Sequence, residues 1–129
     1  MIRHAIIAAW LGIAAPVTAD PAPPPPAPVP SVPRGSKPQG PADTRGVQRY
    51  TSSVRLRPAC KALAALAAPR ASRYLPMTQI RSTLVCRLVS DDPRTSWAAV
   101  HVYQVGRDAT AKPTIAIVPR SVAGSAPSP

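Results

Sequence analysis

Phenylalanine, glutamate and asparagine do not occur in this chain of 129 residues, and aromatic side chains make up only 4% of it. A core without phenylalanine must be filled by aliphatic side chains with a little tyrosine and tryptophan, which fits a small domain and no more. Without glutamate, the acidic complement is five aspartates against 16 lysines and arginines, a formal net charge of +11. So few carboxylates leave little from which to assemble a paired acid–base site. Two cysteines and two histidines are present. A closed zinc site would need both cysteines, His101 and an aspartate, and there is no Cys-x-x-Cys, so neither a metal nor a cofactor is expected. The abundance of Ala, Pro, Arg, Ser and Val is what very GC-rich DNA encodes, in a selected reading frame or in one that carries no selected function. A coherent export signal argues for the first.

That signal lies at the start. Arg3 supplies a positive charge, Ala5 to Ala15 form an apolar run interrupted only by Gly12, and Pro16 leads to the small-residue exit Val17-Thr18-Ala19. This is the layout of a cleavable secretory signal peptide over residues 1–19. The 11-residue run is short of the roughly 20 apolar residues a bilayer-spanning helix needs, and the first cysteine, Cys60, is far from the point a lipid anchor would require. Cleavage leaves 110 residues with 15 basic side chains, all but Arg3, against five aspartates. The expected location is periplasmic or secreted. A positive field of that size favours anionic partners. In an exported protein, an anionic envelope polymer or an acidic protein ranks ahead of nucleic acid, and membrane contact is expected only through surface charge.

Residues 20–45 hold ten prolines, Pro23 to Pro26 in succession, and read as a Pro-rich disordered linker. In polyproline II geometry at roughly 3.1 Å per residue it would reach about 80 Å. Residues 121–129 read as a disordered tail, which leaves 46–120 as the folding domain. Within it, Tyr50 to Leu56 alternates as a strand, Pro58 suits a helix start, and Ala59 to Ala68 is helical until Pro69. Thr78 to Val89 alternates again, with Ile80, Leu84, Cys86 and Leu88 on one side. Ser90 to Arg94 is a turn, Trp97 to Val105 a central strand and Thr114 to Val118 a last strand. The order predicts an α+β two-layer domain, one helix packed on an antiparallel sheet of about four strands. Cys60 on the helix and Cys86 on the inner side of a strand are expected to form a disulfide, which suits an oxidising compartment.

The layout of a short apolar N-terminus, a proline-rich spacer and a small C-terminal domain is similar to that of the TonB energy-transducing proteins. Those carry a Tyr-Pro motif where this chain has Tyr74-Leu75-Pro76. The Cys60 to Leu66 helix and the later Cys86 resemble secreted subtilisin inhibitors, but those have two disulfides and this chain has cysteines for one. No residue is carried over from either family.

Strand alternation places Arg49, Arg55, Arg57, Arg81 and Arg87 outward, where they would form one basic sheet face suited to phosphate or carboxylate oxygens. His101, between aromatic neighbours on its strand, reads as a packing residue rather than a catalytic base. Asp91 and Asp92 read as turn formers. No catalytic residues are assigned. The leading expectation is a non-enzymatic, disulfide-stapled binding or structural module of the cell envelope. The alternative is a secreted inhibitor of a trypsin-like protease that presents Arg94 in the Asp91 to Thr95 turn.

Overall fold

The alternating segments become one six-stranded antiparallel sheet in the computed structural model, which describes residues 25–120. The elements are β1 (Lys37–Pro38), β2 (Gln48–Thr51), α1 (Leu56–Ala64), β3 (Ser72–Ile80), β4 (Thr83–Ser90), β5 (Trp97–Val105) and β6 (Thr114–Pro119). In the sheet they run in the order β1-β2-β6-β5-β4-β3. The expected signal peptide and C-terminal tail lie outside the described residues.

This corrects the expected architecture. One helix on a sheet of about four strands is replaced by a mostly-sheet fold of six strands with a single short helix. Thr78 to Val89, expected as one strand, is a hairpin: β3 and β4 pair from Ser72↔Ser90 to Ile80↔Thr83 around the turn Arg81-Ser82. Arg81 sits at φ +59°, a left-handed position for which glycine or asparagine is the usual signal, so the turn carried no sequence cue. The Gly106 N–H braces it by donating to the Ser82 carbonyl at 2.7 Å. Pro76 had also masked β3. It falls in the register shift between Leu75 and Thr78 on an edge strand, where a missing N–H breaks no ladder. At the other edge, Lys37-Pro38 pairs with Thr51 and Tyr50, so part of the proline-rich stretch supplies the sixth strand. Further upstream, Trp97 Nε1 donates to the Ala27 carbonyl at 3.4 Å and Val32 packs against the core.

The helix also starts earlier than expected. Ser52 Oγ donates to the Val54 carbonyl and accepts from the Val54 N–H, a side-chain turn that ends β2 at Thr51. Leu56 then joins Ala59, Cys60 and Leu63 in a stripe at helical spacing, and all four are buried. Helical period thus prevails over strand period at Leu56. Pro58 falls at the third helical position instead of the first, still within the turn whose N–H groups have no intrahelical acceptor.

Topology explains why the helix lies across the sheet. The chain must travel from β2 to β3, four strand spacings away, or roughly 19 Å. Nine helical residues cover about 13 Å of that path, and the flanking segments cover the rest. The stripe comes to lie on Cys86, Leu88, Val100, Val102 and Ile115. The Cys60–Cys86 disulfide, with a Cα separation of 6.0 Å, ties the helix to β4. A bridge closing a loop of 26 residues stabilises by about 3.5 kcal/mol on the chain-entropy account. The C60A/C86A double variant should lose most of that, read as a lower urea midpoint with a slope at least as steep, since the unlinked chain exposes more surface on unfolding; an unchanged midpoint would show that the bridge does not constrain the unfolded chain.

Candidate functional site

The sheet has two unlike faces. On the helix side lie Leu84, Cys86 and Leu88 of β4, Val100 and Val102 of β5, and Ile115 and Ile117 of β6. The open side carries, in one cross-strand row, Arg49, Ala116, His101, Arg87 and Leu75. A register shift between Trp97 and Ala99 turns Trp97 to the helix side, away from His101, with which simple alternation had grouped it.

The five arginines expected on one face are therefore divided. Arg49 and Arg87 share the open row. Arg49 is paired with Asp43 Oδ2 at 3.0 Å, and Asp43 first and Tyr103 second favour its charged form. Arg55 is the residue that precedes the first turn of α1, Arg57 lies within that turn, and both are exposed. Arg81 is in the β3–β4 turn.

What the structure does bring together lies at the N-terminal end of α1. A cleft of about 490 Å³ is bounded by Arg55, Leu56, Arg57 and Pro58 of the helix start, Met77 and Gln79 of β3, Leu84 of β4, Gln104 of β5, and Arg107 and Ala109 of the β5–β6 loop. Its floor is another cross-strand row, Gln79–Leu84–Gln104. Three arginines border it and no acidic residue does. Arg107 Nη2 donates to Gln79 Oε1, and Gln79 Nε2 donates to the Arg81 carbonyl at 2.8 Å, so the loop and hairpin hold one another at the rim. The first turn of α1 contains no acidic side chain and Arg55 makes no side-chain cap, so the positive end of the helix dipole adds to the arginines. No local pattern links Arg107 to the helix start, because that approach spans some 50 residues of chain.

A second cavity, of about 350 Å³, is apolar and lies between α1 and the sheet, with Pro30 and Val32 on one side and Leu63, Val100 and Ile117 among the others.

Arg94, the residue of the inhibitor alternative, is engaged within its own turn. Its Nε and Nη2 donate to Asp92 Oδ1 and Oδ2 at 3.0 and 2.8 Å, and its N–H donates to Oδ1 at 2.9 Å. Those bonds pull the Asp92 carboxyl down to about 2. Arg120, the residue after β6, fixes the same turn, its Nη2 donating to the carbonyls of Ser90 and Asp92, both at 3.1 Å. The Arg94–Asp92 fork engages the guanidinium that the inhibitor alternative would present, on a side chain that remains 45% exposed.

His101 is flanked in its row by Arg87 and Ala116. Burial and then the Arg87 charge press its pKa below the ordinary 6.5. The folded state binds its proton less readily than the unfolded chain does, so His101 supports stability above about pH 6.5 and the support fades as pH falls toward the lower folded value. In H101Q the melting temperature should change less between pH 7.5 and 5.5 than in the native chain. Parallel pH profiles for the two would disprove the assignment.

Compared with protein-family models, curated proteins and solved structures, the chain matches none of them.

Proposed function

We propose that this chain is an exported, non-enzymatic module that binds an anionic component of the cell envelope, or an acidic protein, through the arginines around the α1 cleft. The observation that carries the reading is the convergence of Arg55, Arg57 and Arg107 on one cleft without an acidic residue in its walls. Guanidinium forks match carboxylate and phosphate oxygens in pairs. The excess of 15 basic side chains over five aspartates in the cleaved chain extends that preference beyond the cleft by drawing anions toward the surface. A periplasmic or secreted location accords with the export signal read from residues 1–19 and with the disulfide, since such bonds persist in oxidising compartments.

Retention of the protein on immobilised envelope polymers should be strong at low salt and fall as salt rises, because exposed charge pairs are screened within about 10 Å at 0.1 M. The R55A/R57A variant should bind roughly three- to tenfold more weakly per arginine removed, with its circular dichroism unchanged. R49A/R87A, which alters the opposite face, should bind nearly as the native chain does. Salt-insensitive retention, or loss in R49A/R87A with none in R55A/R57A, would reject the cleft as the site.

A further inference from the structure

Gln104 is a polar side chain only 7% exposed, on the helix-side face where its row floors the cleft. Its Nε2 donates to the carbonyls of Gly106 and Asp108, both at 3.1 Å. Those two acceptors settle which end of the carboxamide is nitrogen, and they hold Oε1 away from the loop. That oxygen is buried and has no hydrogen-bond partner. A buried acceptor left unmade is costly, and the Gln79 carboxamide, two strands away in the same row, is turned to Arg81 and Arg107. The cleft therefore pairs two unlike demands: cations and a helix start that call for an anion, and a fixed acceptor that calls for a donor.

On the basis of the anion-binding reading above, we propose that the cleft takes an acidic sugar unit, whose carboxylate or phosphate meets Arg55, Arg57 and Arg107 while a neighbouring hydroxyl donates to Gln104 Oε1. The volume of about 490 Å³ lies in the range of small-ligand sites. The apolar part of the walls, Leu56, Pro58, Leu84 and Met77, suits the carbon face of a pyranose ring. The Oε1 atom lies out of reach of bulk water, so a wall must yield for the hydroxyl to reach it, and we assign that movement to Met77. This side chain is unbranched, 37% exposed and on an edge strand, and is the adaptable wall of the cleft. Arginines supply affinity that salt weakens; Gln104 distinguishes a hydroxylated anion from a bare one.

The test uses oligogalacturonate as the probe, alongside the same oligomer with its hydroxyls methylated and its carboxylates intact, titrated by calorimetry into the native chain. The hydroxylated form should bind about five- to tenfold more tightly, as one well-placed hydrogen bond allows. A phosphorylated hexose oligomer in a third arm tells a phosphate from a carboxylate as the anionic group. In Q104M the preference over the methylated oligomer should vanish while salt dependence persists; in R55A/R57A both forms should weaken together and the preference should remain. Equal binding of both forms to the native chain overturns the sugar assignment and leaves anion binding standing. Tighter binding of an oligo-aspartate of equal charge overturns it in favour of an acidic peptide. Absence of salt-sensitive binding by every probe removes the anion-binding reading along with it. The methylated probe needs no variant, so the outcome does not depend on Q104M folding.

Discussion

Everything in this fold hangs on how a nine-residue helix is held against one face of a sheet. Its buried stripe consists of Leu56, Ala59, Cys60 and Leu63, a modest apolar area with no aromatic ring. Helices of this length are not stable alone, because nucleation outweighs so few backbone bonds. The covalent link from Cys60 to the fully buried Cys86 compensates by placing the middle of the helix on β4 regardless of how much side-chain area it buries. Once the middle is fixed, so is the start. Arg55 and Arg57 come to lie beside Gln104 and Arg107 because Cys60, a turn further along, is bonded to the sheet. The cleft is thus a consequence of the crossover and its staple.

The few carboxylates are distributed in a way that preserves the positive field. Asp43 accepts from the Arg45 and Val47 N–H groups and pairs with Arg49; the Val47 bond first, then Arg49, hold its carboxyl below the usual range. Asp91 pairs with Arg73, and Asp92 with Arg94. Asp108 accepts from the Thr110 hydroxyl and N–H, which lower its pKa. Each of the four shapes a turn or steadies a strand end. None reaches the walls of the α1 cleft. Local structural duty thereby removes the acidic groups that would otherwise neutralise its arginines.

The sequence made some of this legible and hid the rest for identifiable reasons. The second half of the β3–β4 hairpin announces itself by period two, β5 by an apolar run between turn signals and β6 by a short apolar run ended by Pro119, and the Cys60–Cys86 pair follows from the only two cysteines. The helix stripe was visible, but its first residue was assigned to a strand, because Leu56 fits both periods and the Ser52 side-chain turn that decides between them is a matter of geometry. β3 was hidden by Pro76 and by an arginine occupying a left-handed turn position. β1 was hidden because two residues of a proline-rich tract carry no pattern at all. Alternation misplaced Trp97 for want of the β5 irregularity. Among the site residues, alternation puts Arg55 and Arg57 on a sheet face whereas they lie at the start of α1, and Arg107 and Gln104 depend on contacts between distant segments that no local pattern records.

The division of the arginines bears on what the two faces can do. Arg49 has its charge matched by Asp43, and Arg87 stands beside a histidine whose protonation it opposes, so the open face answers to pH through His101. The cleft presents a different balance. Three guanidinium groups with no acid in the walls raise the local anion concentration and speed encounter, an effect that depends on charge and distance more than on the shape of the partner. Shape and donor placement enter only at the floor, where the orientation of Gln104 is fixed by two backbone carbonyls of the loop that carries Arg107. A shift in that loop would alter the recognising oxygen and the attracting cation together. On the proposed reading, affinity and selectivity in the cleft are therefore coupled through residues 106–108, and a ligand that orders this loop strengthens both.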